Sequence, residues 1–154
     1  MNTATPTLLD TDSATRLRMV IGRLSRLLRA TPSGREAGLS PTRISLLLAI
    51  DRQGPVRLSE LGESEGLNPT MLSRSVTQLV DAGLVARTSD DGDRRAAWVS
   101  ATDPGHELAE QMRRERTDAI NAALSGVSAS ERRALETAIP ALEGLAAQLA
   151  QARS

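Results

Sequence analysis

The chain has no cysteine, no tyrosine and no phenylalanine, and it carries one tryptophan and one histidine. Each absence removes a class of chemistry. Without cysteine there is no disulfide framework and no thiol sensor. A single histidine, His106, leaves no set of several His or Cys ligands for a zinc site, so neither metal nor cofactor is expected. With Trp98 as the sole aromatic, the core must be built from Leu, Val, Ile, Ala and Met. No apolar run approaches a membrane span, and the N-terminus is short, polar and Thr-rich, without an apolar signal segment. A cytoplasmic location and no membrane partner are therefore expected. There is no Gly-rich phosphate loop, no Ser-His-Asp set and no pair of partnered carboxylates, so no catalytic residue is named and an enzyme is not expected.

What is present is balanced in number but not in kind. There are 19 basic and 19 acidic residues, and every basic one is arginine. Zero net charge argues against a broad nucleic-acid-binding field. Affinity for an acidic partner would have to rest on a few placed arginines. The all-arginine composition also fits a GC-rich genome. At 154 residues the length prior gives one domain spanning the chain.

The organising stretch runs from Ser59 to Val99. Its centre is a helix expected from Asn68 to Ala82, with Asn68 as N-cap, Pro69 at the first helical position and Gly83 as the C′ residue able to take positive φ. Leu72, Val76, Leu79 and Val80 form one face at helical spacing. Thr70, Ser73, Arg74, Thr77 and Gln78 form the other, which carries hydroxyl, amide and guanidinium donors and is read as free of carboxylates. Such a face suits DNA; a merely solvated face is the plain alternative. Ser59 to Glu65 reads as a short helix and Gly66-Leu67 as a turn, which makes a helix-turn-helix. Leu84 to Arg87 and Ala96 to Val99 read as strands on either side of the turn-rich tip Ser89 to Asp93. Arg94 and Arg95 sit at the base of this wing, and Val56-Arg57 can add a third strand.

The flanking segments read as helical arms. Residues 1–11 lack periodicity and read as a loose arm. Asp12 to Arg29 is a helix with an apolar stripe of Leu17, Val20, Ile21, Leu24, Leu27 and Leu28. Its arginines read as a solvated face, or as one or two groups facing a ligand or partner carboxylate. Ala30 to Leu39 reads as a loop because of Pro32, Gly34 and Gly38. A buried helix starts at Ser40-Pro41 and ends near Asp51. Thr102 opens a long helix to Leu124 that is charged in its middle, and such a helix is expected to bridge to a separate helical layer. His106 in its first turn reads as a surface residue, with a pH or metal role as the alternative. Ser130 is expected to cap the last helix, where Leu135, Ile139, Leu142, Leu145 and Leu149 make a near-heptad seam. Pro140 should kink or break it near Ile139. Apolar stripes on residues 12–29 and 102–150 find no partner in the 41–100 lobe, so a two-fold homodimer is expected.

At LSRSVTQLVDAGLVAR and DGDRRAAWVSATDPG the chain resembles the multiple-antibiotic-resistance-regulator (MarR) family of bacterial transcription factors. The family's Leu-x-x-x-Gly-Leu-Val falls on Leu79 to Val85, its Asp-x-Arg wing on Asp93 to Arg95, and its Thr-x-x-Gly on Thr102 to Gly105. Arg57 stands where a capping Thr is usual and Gly62 where Ala is usual. The resemblance implies a mainly α fold with a small β-wing, that is, a winged helix-turn-helix plus N- and C-terminal dimerisation helices. It implies a dimeric regulator, a repressor of neighbouring genes, on double-stranded DNA with an inverted repeat. The DNA-binding set is then Asn68, Thr70, Ser73, Arg74, Thr77, Gln78, Arg87, Asp93, Arg94 and Arg95, with Arg95 aligned to the arginine that enters the minor groove. A small aromatic or apolar acid is the implied effector class, held between the winged helix and the dimer helices. With no Tyr or Phe, that pocket must be aliphatic with an arginine at its rim. A winged helix used for protein contact, or as an enzyme's dimerisation module, is the competing reading.

Overall fold

The computed structural model describes residues 9–89 and 97–152. The elements in order are α1 (Thr11–Arg29), α2 (Pro32–Glu36), α3 (Pro41–Gln53), β1 (Val56–Arg57), α4 (Leu58–Glu65), α5 (Pro69–Asp81), β2 (Val85–Ser89), β3 (Ala97–Ala101), α6 (Asp103–Leu124) and α7 (Ala129–Gln151). The chain divides into two compact units, Met1–Arg116 and Thr117–Ser154.

In the first unit, helices α3, α4 and α5 close over a three-stranded antiparallel sheet of order β1-β3-β2. The expected third strand forms: Val56 pairs with Val99 and Arg57 with Trp98. The core is aliphatic throughout. Ile44, Leu46, Leu47 and Ile50 of α3 meet Leu61, Val76 and Leu79, the sheet residues Val56, Val85 and Val99, and Ala109 and Met112 of α6. Trp98 is half-buried, with the Arg57 guanidinium 5.3 Å from its ring centroid. That stack suits a delocalised cation.

The start of α6 is fixed by the Thr-x-x-Gly element. The Thr102 amide donates to the Leu84 carbonyl at 3.1 Å, and its hydroxyl to the Gly83 carbonyl at 2.6 Å. The Gly105 amide in turn donates to the Thr102 hydroxyl at 3.2 Å. A Cβ on Gly105 would lie 2.0 Å from the Leu84 carbonyl oxygen, so only glycine lets α6 approach this closely. Gly62 has a related role. Its added Cβ would sit 2.9 Å from a Leu72 methyl, so the residue that weakens α4 also lets α5 pack against it.

Three readings of the sequence need correction. Ala30 to Leu39 is not all loop, because Pro32–Glu36 is helical. Thr31 caps that helix by accepting from the Gly34 amide, and Glu115 of α6 accepts from the Ser33 amide and hydroxyl. The support comes from far along the chain. The cap of α7 is Ser128 rather than Ser130, and it forms a full capping box with Glu131. The Ser128 hydroxyl, and then its backbone N–H, hold the Glu131 carboxyl below its ordinary value. Helix α7 also runs unbroken through Pro140, so of the expected kink or break near Ile139 the break does not occur. A proline removes one backbone donor, and 23 residues supply enough neighbouring bonds to carry the helix past it.

The charged middle of α6 is not free in solvent. Arg113 pairs with Asp51 at the end of α3, Arg116 donates to the Arg29 carbonyl at 3.2 Å, and Arg114 pairs with Glu110 at 3.1 Å. His106 is exposed, but its ring bonds the same Asp51, whose side chain is only 7 % exposed. His106 is thus the surface residue the sequence suggests, with a partner the sequence does not show. Among the described residues no group of His, Cys, Asp or Glu could hold a metal ion. No described helix is long and apolar enough to cross a membrane.

Candidate nucleic-acid interface

Helix α5 is set by its two ends. Asn68 accepts from the Met71 amide at 2.8 Å, and Pro69 occupies the first turn. At the other end Gly83 takes φ +72°. The Leu84 amide reaches back to the Leu79 carbonyl at 3.0 Å and the Gly83 amide to Val80 at 2.9 Å, which together make a Schellman motif. Leu72, Ser75, Val76 and Leu79 are buried against the core. Burial of that face leaves the opposite one no choice but to point outward.

Thr70, Ser73, Arg74, Thr77 and Gln78 together border one shallow groove on that outward face. Thr70, Arg74, Thr77 and Gln78 are exposed and Ser73 is half-buried. The Thr77 hydroxyl donates to the Ser73 carbonyl at 2.9 Å and is a weaker candidate donor for that reason. The amide oxygen of Asn68 is occupied by the cap, so its amino group is what remains for a partner. One expectation is corrected here. Asp81 is exposed in the last turn, three residues beyond Gln78 and four beyond Thr77, so the face is free of carboxylates only over its earlier turns. Met71, which the sequence pattern does not assign to this face, is also exposed on the outward side of the first turn.

Arg87 lies apart from this groove. It sits on β2 and lines a separate cavity with Arg57, Leu67, Leu72 and Ala97, although Pro69 borders both. Asp93, Arg94 and Arg95 fall outside the described residues, as does most of the wing tip.

A second cavity, of about 290 Å³, lies within the first unit between α3, the end of α4 and α6. Leu48 and Ala49 line it, with Arg52, Arg113, Arg116 and Glu65 around them. Burial, with Arg29 nearby, pushes the Arg116 guanidinium below its ordinary value, and its buried Nε has no hydrogen-bond partner among the described residues.

Two helices joined by a tight turn, the second outward-facing and followed by a hairpin, define a winged helix-turn-helix protein. Residues 39–97 match the model of the MarR family. A helix-turn-helix transcriptional regulator of Mycobacterium bovis is 31% identical over 133 residues, covering 85% of this chain and 92% of that one. The chain belongs to the MarR family. A crystal structure of a Pseudomonas aeruginosa transcriptional regulator is 31% identical with a TM-score of 0.74, covering 92% of this chain and 97% of the other. NadR in complex with 4-hydroxyphenylacetate shares the fold at 19% identity and a TM-score of 0.59, covering 92% of this chain and 97% of that one. MarR-family regulators are transcription factors rather than enzymes; they bind DNA and act as dimers.

Proposed function

We propose that the protein is a dimeric repressor that reads an inverted-repeat operator with α5 and is released by a small carboxylate effector. The observation that carries the reading is the capped α5, with buried Leu72, Val76 and Leu79 on one side and the Thr70–Gln78 donor face on the other. Recognition helices of this class lie in the major groove. A guanidinium in the position of Arg74 suits guanine O6 and N7, or a phosphate. Arg87 and the wing residues Asp93, Arg94 and Arg95 complete the contact set, the last three on the sequence pattern alone.

Dimerisation is assigned to α1 and to residues 119–149. Val20, Leu24 and Leu27 of α1, and Leu135, Ile139, Leu142, Leu145 and Leu149 of α7, are all between 38% and 68% exposed. Rows of this length on solvent favour a partner surface. The effector is assigned to the cavity between α3 and α6, where Leu48 and Ala49 supply the aliphatic wall and Arg52 and Arg116 the cationic rim. Its volume falls just short of the range of small-molecule sites, which starts at roughly 300 Å³, so it suits only a small acid. NadR binds an aromatic carboxylate, and the same ligand chemistry suits an arginine-rimmed cavity.

The test is a gel shift with DNA from upstream of the chain's own gene, repeated with Arg74→Ala and with salicylate. The expected result is a retarded complex that is lost with Arg74→Ala and weakened by high-micromolar to millimolar acid. Binding by wild type and Arg74→Ala alike would remove α5 as the reader. Full binding across a broad set of acids would remove the effector.

A further inference from the structure

Met71 is 48% exposed in the first turn of a helix whose other large apolar side chains are buried, as Leu72, Val76 and Leu79 are, or half-buried against the core, as Val80 is. It lies three residues before Arg74 and seven before Gln78, so it stands at the shoulder of the same donor face. Its backbone is held by the cap, since the Met71 amide donates to Asn68. The position is therefore fixed while the side chain is free. In helix-turn-helix proteins the N-terminal residues of the recognition helix contact the base edges. Hydroxyl, amide and guanidinium groups match the donors and acceptors there. A thioether chain matches the one apolar group in the major groove, the 5-methyl of thymine. Methionine is unbranched and polarisable, and it fits an irregular apolar contact well.

We propose that Met71 is a specificity-determining residue that reads a thymine in each half-site through its 5-methyl group. This rests on the DNA-binding reading above.

The test uses the full chain and a duplex enriched by it from a random pool. Each thymine is replaced in turn by deoxyuridine, which lacks only the methyl. Affinity is measured by fluorescence anisotropy at fixed salt. The expected result is one position per half-site where the replacement weakens binding about three- to fivefold, the worth of one buried methyl group. At that position Met71→Ala should bind the two duplexes equally, and Met71→Leu should keep the wild-type preference. Because Met71 is exposed, the variants should melt like wild type. A deoxyuridine penalty that persists unchanged in Met71→Ala would overturn the proposal, and so would a wild type indifferent to every replacement. If no sequence is enriched at all, the DNA-binding reading itself fails, which is a different result.

Discussion

Replacing Gly105 by alanine sets two opposed effects against each other. By local propensity the change should help, because alanine inside a helix is favoured over glycine by about 0.5–1 kcal/mol. By packing it should hurt. The new methyl would lie 2.0 Å from the Leu84 carbonyl oxygen and 3.0 Å from its carbon. Ordinary contact between such atoms begins near about 3.5 Å, so α6 would have to withdraw by roughly 1 Å or more. Leu84 belongs to the turn that ends α5 and cannot yield without breaking the Schellman bonds. Withdrawal would also stretch the Thr102 bonds to Leu84 and Gly83. Overpacking costs about 1–3 kcal/mol, and each lost bond about 0.5–1.5. Net of propensity, Gly105→Ala should destabilise the protein by about 2–4 kcal/mol and lower Tm by roughly 5–15 °C. Thermal and urea unfolding at one protein concentration would measure it. A variant as stable as wild type, or more so, would show that α6 does not approach Leu84 as described.

Other outcomes follow from other parts of the molecule. Asp51→Asn removes the charge shared by Arg113 and His106. It should cost about 1–3 kcal/mol in urea unfolding, less than a fully buried pair because both partners can return to water; wild-type stability would exclude the clamp. Leu145→Asp should convert the dimer to monomer in sedimentation at micromolar concentration without unfolding α7, and an unchanged dimer would remove α7 from the interface. In the wing, Arg95→Ala should lose about ten- to a hundredfold in affinity on A·T-flanked operators, Asp93→Ala less, and Arg94→Ala least. The reason is that a narrow A·T minor groove concentrates negative potential. The reverse order would show that the wing register is wrong.

The caps of α5 were legible because capping is local chemistry: Asn68, Pro69 and Gly83 act within a turn of themselves. The fold class followed from them and from the two short strands, Leu84 to Arg87 and Ala96 to Val99, on either side of a turn-rich tip. Other features depended on partners distant in the chain. Helix α2 reads as a loop from Pro32 and Gly34, although Thr31-Pro32 carries the same cap-plus-proline signal as Asn68-Pro69; the further support from Glu115, 82 positions beyond Ser33, has no local signature. His106 and Asp51 are 55 positions apart, and nothing near either one signals the pairing. Ser128 is legible as a cap, since Ser-x-x-Glu is a capping signature. Asp81 follows Gln78 on the same face by simple helical count. Met71 carried a signal of its own, an apolar residue on the polar side of an amphipathic helix.

The central claim is that two copies of α5 read successive major grooves. The most direct measurement is to enrich binding duplexes from a random pool with the wild-type chain and sequence them. Two copies of α5 in successive major grooves require an inverted repeat with half-site centres one helical turn apart, about 10 base pairs, or a multiple of it. Arg74→Ala should bind that repeat about ten- to a hundredfold more weakly than wild type at fixed salt. A single unrepeated motif, or a repeat bound equally by wild type and Arg74→Ala, would contradict this.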